Sequence, residues 1–286
     1  MSQVAQTAAL SEILAAAEKL PPFPDIIWRV TPLIRRMAPV AQIEEVIKYD
    51  QAITARILAV SQSSQYSRRG GGSLREAITT LGDDQLLEVI ITACASRYFT
   101  GNASGYDLRE GELWEHAVSV GLLAEIVARR LGWKNTLTAY TAGLLHDIGK
   151  TVLNYHVKTY FKDILALVRD NKKSFLEAER EVLGIDHEQL GGIIAKSWRF
   201  PNDITTAIEY HHRPSEAKEH QPIASLIYVV NRMVSALGIG CGVDGFLQPN
   251  QDQAFLQLNI TSRMVEEFLI ELVEAQERTK QFLITG

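Results

Sequence analysis

Apolar residues recur at three-and-four spacing along most of this chain, which is the period of a helix with one buried face. The pattern predicts helices over residues 10–17, 26–37, 43–47, 53–60, 86–99 and 113–131, then over 136–148, 157–171, 174–183, 186–198, 202–211 and 221–238. Strict alternation of apolar and polar positions, the mark of a half-buried strand, is hard to find. Punctuation agrees with the period. The stretch "LPPFPD" separates the first two helices, Pro39 ends the second, and Asp50 is placed to cap the fourth. "SRRGGGS" at 67–73 reads as a loop that ends in Ser73 as another cap. A last helix from Ser262 to Phe282 puts Val265, Phe268, Leu269, Leu272 and Val273 on one face. That is first a packing stripe, and a dimer or linker helix would also show it. The fold expected is all-α, a multi-helix bundle.

Small and polar residues gather in "TGNASGYDLREGE", residues 100–112, between two strongly apolar helices, which marks a boundary. The division expected is an N-terminal helical subdomain over 1–105, a second helical domain over 106–250 and a C-terminal helix over 251–286 packing on the core. All seven histidines fall after the first boundary, and "GIGCGVDGFLQPNQDQ" at 238–253 reads as a loop.

Composition narrows the function classes. With 286 residues, 46% of them hydrophobic, the chain can bury a sizeable core. A formal charge of −5 speaks against a mainly electrostatic partner such as nucleic acid, and Arg68 and Arg69, which precede a glycine run, read as part of a solvated loop before they read as a basic patch. Glu12, Glu18 and Lys19 interrupt the N-terminal apolar run, so no secretory leader is legible, and no segment approaches a membrane span. Two cysteines far apart, Cys94 and Cys241, indicate neither a disulfide framework nor a cysteine zinc site. The cytoplasm is the expected address.

The candidate chemistry lies in five histidines and one aspartate: His116 in "LWEHAVSVG", His146 and Asp147 in "AGLLHDIGK", His187 in "GIDHEQLG", and His211 with His212 in "AIEYHHRP". Any one of them could cap a helix or satisfy a buried hydrogen bond. As a set they offer the imidazole and carboxylate donors that first-row divalent metals accept. A shell made mostly of ring nitrogen favours iron or manganese over magnesium, as one or two ions. Small residues accompany the set, with Gly121, Gly143, Gly149, Gly191 and Gly192 allowing helices to approach closely. His156 and His220 lack such surroundings and read as surface residues.

The order H, HD, H, HH, with Lys150 completing "HDIGK", resembles the HD-domain superfamily of metal-dependent phosphohydrolases. Within it the chain is most similar to the HDOD group, the HD-related output domains of bacterial signalling. That likeness is carried by "LPPFPDIIWRV", "YDQAITARILAVSQSSQYS" and "LREAITTLGDDQLLEVI" in the N-terminal part. The resemblance implies an HD-like helical bundle and a regulatory or scaffold role with a signalling protein partner. It also assigns His116, His146, Asp147 and Asn231 to one ion, and Asp147 as a bridge with His187, His211 and His212 to a second. Asp147 and Lys150 are then the expected catalytic residues, Lys150 stabilising charge on phosphoryl oxygens.

Two departures bear on activity. In "IASLIYVVNRMVSA" the place of the final aspartate of HD enzymes is taken by Asn231, a neutral amide. The Gly-Tyr-Pro segment of HD-GYP cyclic di-GMP phosphodiesterases is replaced by "RPSEAKEHQP". The expectation is therefore a signalling domain that keeps a histidine-rich metal site and takes a phosphate-containing ligand. The alternative is a metal-dependent phosphohydrolase or phosphodiesterase acting on a nucleotide or cyclic dinucleotide.

Overall fold

The computed structural model describes residues 3–63, 66, 72–245 and 252–283. Its helices in chain order are α1 (Gln3–Glu18), α2 (Ile26–Arg35), α3 (Val40–Ile47), α4 (Gln51–Ser61), α5 (Leu74–Leu81), α6 (Asp83–Ala95), α7 (Glu112–Arg130) and α8 (Thr136–Leu145). There follow α9 (Ile148–Thr159), α10 (Phe161–Asn171), α11 (Phe175–Leu183), α12 (His187–Ser197), α13 (Asn202–Glu209), α14 (Gln221–Ala236), α15 (Asp252–Gln257) and α16 (Ser262–Leu283). Among the described residues extended pairing is confined to an isolated antiparallel bridge between Ala103 and Leu108, so the fold is all-α. Arg68 and Arg69 lie outside the described residues. No helix among those described is long and apolar enough to cross a membrane.

The chain divides into two compact units. One comprises Pro22–Arg97 with Val273–Gly286. In it α4 packs on α5 and α6, and α2 on α3 and α6, around Ile34, Ile47, Ile53, Ile57 and Ile90. Its helix starts follow the local chemistry. Asp50 accepts from the backbone N–H of Ile53 at 3.1 Å, and Ser73 and Glu76 exchange the two bonds of a capping box. Pro39 stands at the N-cap of α3, so it opens that helix as well as closing the connection before it.

The other unit comprises Met1–Pro21 with Tyr98–Leu272, so α1 joins the histidine-bearing part of the chain. There α1 packs on α9, α11 and α12, and α14 packs on α7, α8 and α13. The most extensive pairing is α7 with α8, and glycine permits it: a Cβ on Gly143 would lie 2.8 Å from the Val120 carbonyl oxygen. A Cβ on Gly149 would collide with the His187 carbonyl, so α9 and α12 also touch backbone to backbone. On α16, Phe268 and Leu272 are buried, whereas Val273 is exposed.

Two expectations are corrected. The helix read as 136–148 breaks at His146 and Asp147, and α9 begins at Ile148, well before residue 157. His156 is buried on α9 beside Val157 and Leu153, not at the surface. His220 is exposed, as expected.

Candidate metal centre

The break between α8 and α9 shapes the centre. Asp147 stands at the N-cap of α9 but accepts no capping hydrogen bond from that helix, so its carboxylate turns inward. The other residues come from separate helices. His116 lies on α7, His187 is the first residue of α12, and His211 and His212 follow the end of α13. All five rings and the carboxylate are buried.

Asp147 is the hub. Its Oδ2 lies 3.2 Å from His146 Nε2 and 3.8 Å from His116 Nε2, and its Oδ1 lies 3.6 Å from His211 Nε2 and 3.7 Å from His187 Nε2. His212 Nε2 is 3.1 Å from His187 Nε2. Two trios each bring their donor atoms within 4.8 Å of one another: His116, His146 and Asp147, and His187, His211 and His212.

In four of the five imidazoles, ring orientation follows from the far nitrogen, while Nδ1 of His212 is buried with no hydrogen-bond partner. Nδ1 of His116 donates to the Ile239 carbonyl at 2.9 Å, that of His146 to Gly143 at 2.7 Å and that of His211 to Ile208 at 2.8 Å. His187 Nδ1 donates to Glu179 Oε2 at 2.7 Å. In a neutral ring with its proton on Nδ1, Nε2 carries a lone pair, and in His116, His146 and His211 that lone pair faces the centre. Nε2 of His146, Nε2 of His211 and Oδ1 of Asp147 are buried with no hydrogen-bond partner. His116 Nε2 meets the Asn231 carboxamide oxygen at 3.0 Å, two acceptors face to face once the ring proton is spent on Ile239. Buried acceptors converging without protons between them are what a cation relieves, so these residues fit a metal.

Electrostatics prepares the same donors. Burial, and then neighbouring His146, pushes His116 down to about 4. Burial lowers His146, His211 and, most strongly, His212, so these rings are neutral at pH 7 and able to ligate. Burial also opposes the charge on Asp147, but His146 and Lys150 outweigh it and hold the carboxyl well below its ordinary range. His187 differs, because Glu179 overcomes the burial penalty and raises it to about 9.

Lys150, the other expected catalytic residue, is buried with its ammonium 2.7 Å from Asp147 Oδ2 and 2.6 Å from Asp244 Oδ2. The two carboxylates outweigh its burial and raise its pKa. Asp244 arrives on the segment after α14, where Ile239 receives the His116 proton and the Val243 amide donates to the Tyr106 carbonyl at 3.0 Å.

Four supporting residues were not singled out from the sequence: Glu179, Tyr106, Asp244 and Glu188. Glu188 accepts from the His212 amide and, at 2.8 Å, from Arg213 Nε, which anchors the paired histidines to α12. Burial raises the Glu188 carboxyl to about 7 against the pull of Arg213.

Comparison with known proteins places the fold. The family model of the HDOD domain matches residues 20–214. A structure from Geobacter sulfurreducens, an HDOD domain protein of unknown function, is 25% identical and superposes with a TM-score of 0.70, covering 98% of this chain and 96% of that one. A candidate metal-dependent phosphohydrolase from Shewanella amazonensis SB2B shares the fold at 18% identity and a TM-score of 0.61, covering 98% of this chain and all (100%) of that one. Ribonuclease Y of Thermus thermophilus is 33% identical over 104 residues, which span 36% of this chain and 13% of that enzyme.

Proposed function

The chain belongs to the HDOD family, and from that premise we propose that it is a signalling domain whose histidine-rich centre holds one or two first-row transition metal ions, iron or manganese, in a regulatory or scaffold role. The observation that carries this reading is the convergence of unpartnered buried acceptors, His146 Nε2, His211 Nε2 and Asp147 Oδ1. His116, His146 and Asp147 would hold one ion, with the Asn231 oxygen beside them, and His187, His211 and His212 would hold the other. A bound divalent ion would supply Lewis acidity toward phosphoryl oxygens. The chain's own residues do the rest. Asp147 orients the two trios about one carboxylate, Glu188 fixes the paired histidines, and Lys150 carries a positive charge toward a phosphate-containing ligand.

Regulation is favoured over turnover by two features of the charge balance. Asn231 brings no negative charge to its ion, and Asp244 already engages the Lys150 ammonium. The histidine-free unit, with Met37 and Tyr49 largely exposed, is the surface offered to a signalling protein partner. The second reading, a phosphohydrolase or phosphodiesterase acting on a nucleotide or cyclic dinucleotide, draws on the presence of Lys150 within the centre.

Elemental analysis of protein purified without added metal tests the first reading, with about one ion or more per chain expected after reloading with iron(II) or manganese(II). Protein that binds neither overturns it. Rapid hydrolysis of phosphodiesters by the metal-replete chain would replace it with the second.

A further inference from the structure

Glu179 is a fully buried carboxylate on α11, and it serves a single neighbour twice. Its Oε2 accepts from the His187 ring at Nδ1, 2.7 Å away, and from the His187 backbone amide at 3.2 Å. Its Oε1 accepts from the Tyr106 hydroxyl at 2.6 Å. Among the described ion pairs the only one it forms is with His187, and no lysine or arginine partners it there. A buried carboxylate is costly unless it is paired, and the ring it pairs with here belongs to a candidate metal ligand.

The explanation is electrostatic. His187, His211 and His212 would ligate through ring nitrogens alone; of the carboxylates beside them, Asp147 faces both trios, and Glu188 is engaged by the His212 amide and Arg213, which leaves Glu179 as the carboxylate directed at a ligand ring from behind. A carboxylate behind an imidazole pulls on its Nδ1 proton, turns Nε2 toward the centre and makes it a stronger donor. We infer that Glu179 is a positioning residue that confers metal affinity on the all-histidine trio by polarising His187, with Tyr106 holding the carboxylate in register. This rests on the proposal that the centre binds metal.

The test is titration of the full chain with cobalt(II), read by the visible absorption of the bound ion and by stoichiometry. Wild-type protein should take two ions, the higher of the two proposed stoichiometries, and a single ion whose affinity Glu179→Gln leaves unchanged would also overturn the inference. Glu179→Gln preserves size and one acceptor but removes the charge, so one ion should bind about 10- to 100-fold more weakly, with an altered spectrum, while the other is unchanged. Two ions bound by Glu179→Gln with wild-type affinity would overturn the inference and leave the metal reading standing. No cobalt in the wild type would overturn the metal reading itself. If Glu179→Gln fails to fold, the cobalt-loaded wild type still decides. The exchangeable proton on His187 Nδ1 should give a paramagnetically shifted resonance protected from solvent, and its absence would count against the inference.

Discussion

The ammonium of Lys150 lies 2.6 Å from the carboxylate of Asp244, ninety-four residues away, and both side chains are buried. Breaking a buried pair leaves one charge uncompensated, which costs more than the pair contributes when intact. Here Asp147 stands ready as a second partner for Lys150, so the loss is shared. In metal-free protein, Asp244→Asn should destabilise by about 2 kcal/mol, and much of that loss should vanish in the Lys150→Met background. Urea denaturation of the four proteins gives the coupling. A value near zero would show that the segment after α14 does not hold Lys150.

Close helix contact at Gly149 makes a second prediction. Its Cβ position is taken by the His187 carbonyl, with the Gly191 amide nitrogen 3.0 Å away, and backbone cannot rotate aside as a side chain can. Gly149→Ala should therefore cost about 3 kcal/mol and loosen His187 against Asp147. Thermal unfolding and metal content should fall together. A variant as stable as the wild type would show that α9 and α12 separate readily.

Much of this was legible from the chain because the signals were local. Ser73 and Asp50 cap helices where their positions said they would, and the histidines stood out by residue type. The break at His146 and Asp147 was hidden, since the apolar run through Leu144, Leu145 and Ile148 continues the helical period across it. The three glutamates of "LEAEREVL" look alike in sequence but meet different fates. Glu177 completes a capping box, Glu181 pairs with Lys173 and Glu179 turns into the centre. A signal for Glu179 existed, because it falls four residues after Phe175 and three before Val182, on the apolar face. The same position on an apolar face accounts for the burial of His156, three residues after Leu153. Asp244 gave no such sign, because its role depends on a long-range contact from an irregular segment.

The capping box of α11 supports the helix that carries Glu179, and it has a definite pH dependence. The Ser174 amide and hydroxyl hold the Glu177 carboxyl below its ordinary value of 4.5. A carboxyl lowered on folding stabilises the fold above its unfolded pKa, and that contribution disappears as pH falls through the folded one. Ser174→Ala should cost about 1 kcal/mol at neutral pH. Glu177 is mostly solvent-exposed, so Glu177→Gln should cost less, about 0.5 kcal/mol, and its difference from the wild type should shrink in acid. Denaturation curves at neutral and acid pH check the sign, and a gap that widens in acid would contradict it.

Burial pushes the Cys94 thiol up to about 12, whereas Cys241 is only part-buried. The thiolate is the reactive form, so Cys94 should resist alkylation in the native protein at about pH 8 and react once denaturant unfolds its unit. Mass spectrometry of labelled peptides distinguishes the two cysteines. Native labelling of Cys94 as fast as Cys241 would mean that the core around it opens readily.

On the proposed reading, Asn231 would set the balance between signalling and catalysis. Its oxygen faces His116 Nε2 at 3.0 Å, where a carboxylate would face the same ring with a full negative charge. Asn231→Asp changes almost nothing in size, and Ser235 Oγ, 3.4 Å from the present oxygen, would remain beside it. In metal-free protein the new charge is buried and should destabilise the fold, while in metal-loaded protein it should tighten the ion at His116, His146 and Asp147 by about tenfold or more. The wild type should turn over phosphodiesters slowly or not at all, and the variant faster, because a more fully occupied centre is better able to activate an attacking water. Metal titration and hydrolysis assays on both proteins decide. Rapid turnover by the wild type, with no gain in affinity or rate on Asn231→Asp, would show that the amide is an adequate ligand and that the chain is an enzyme as it stands.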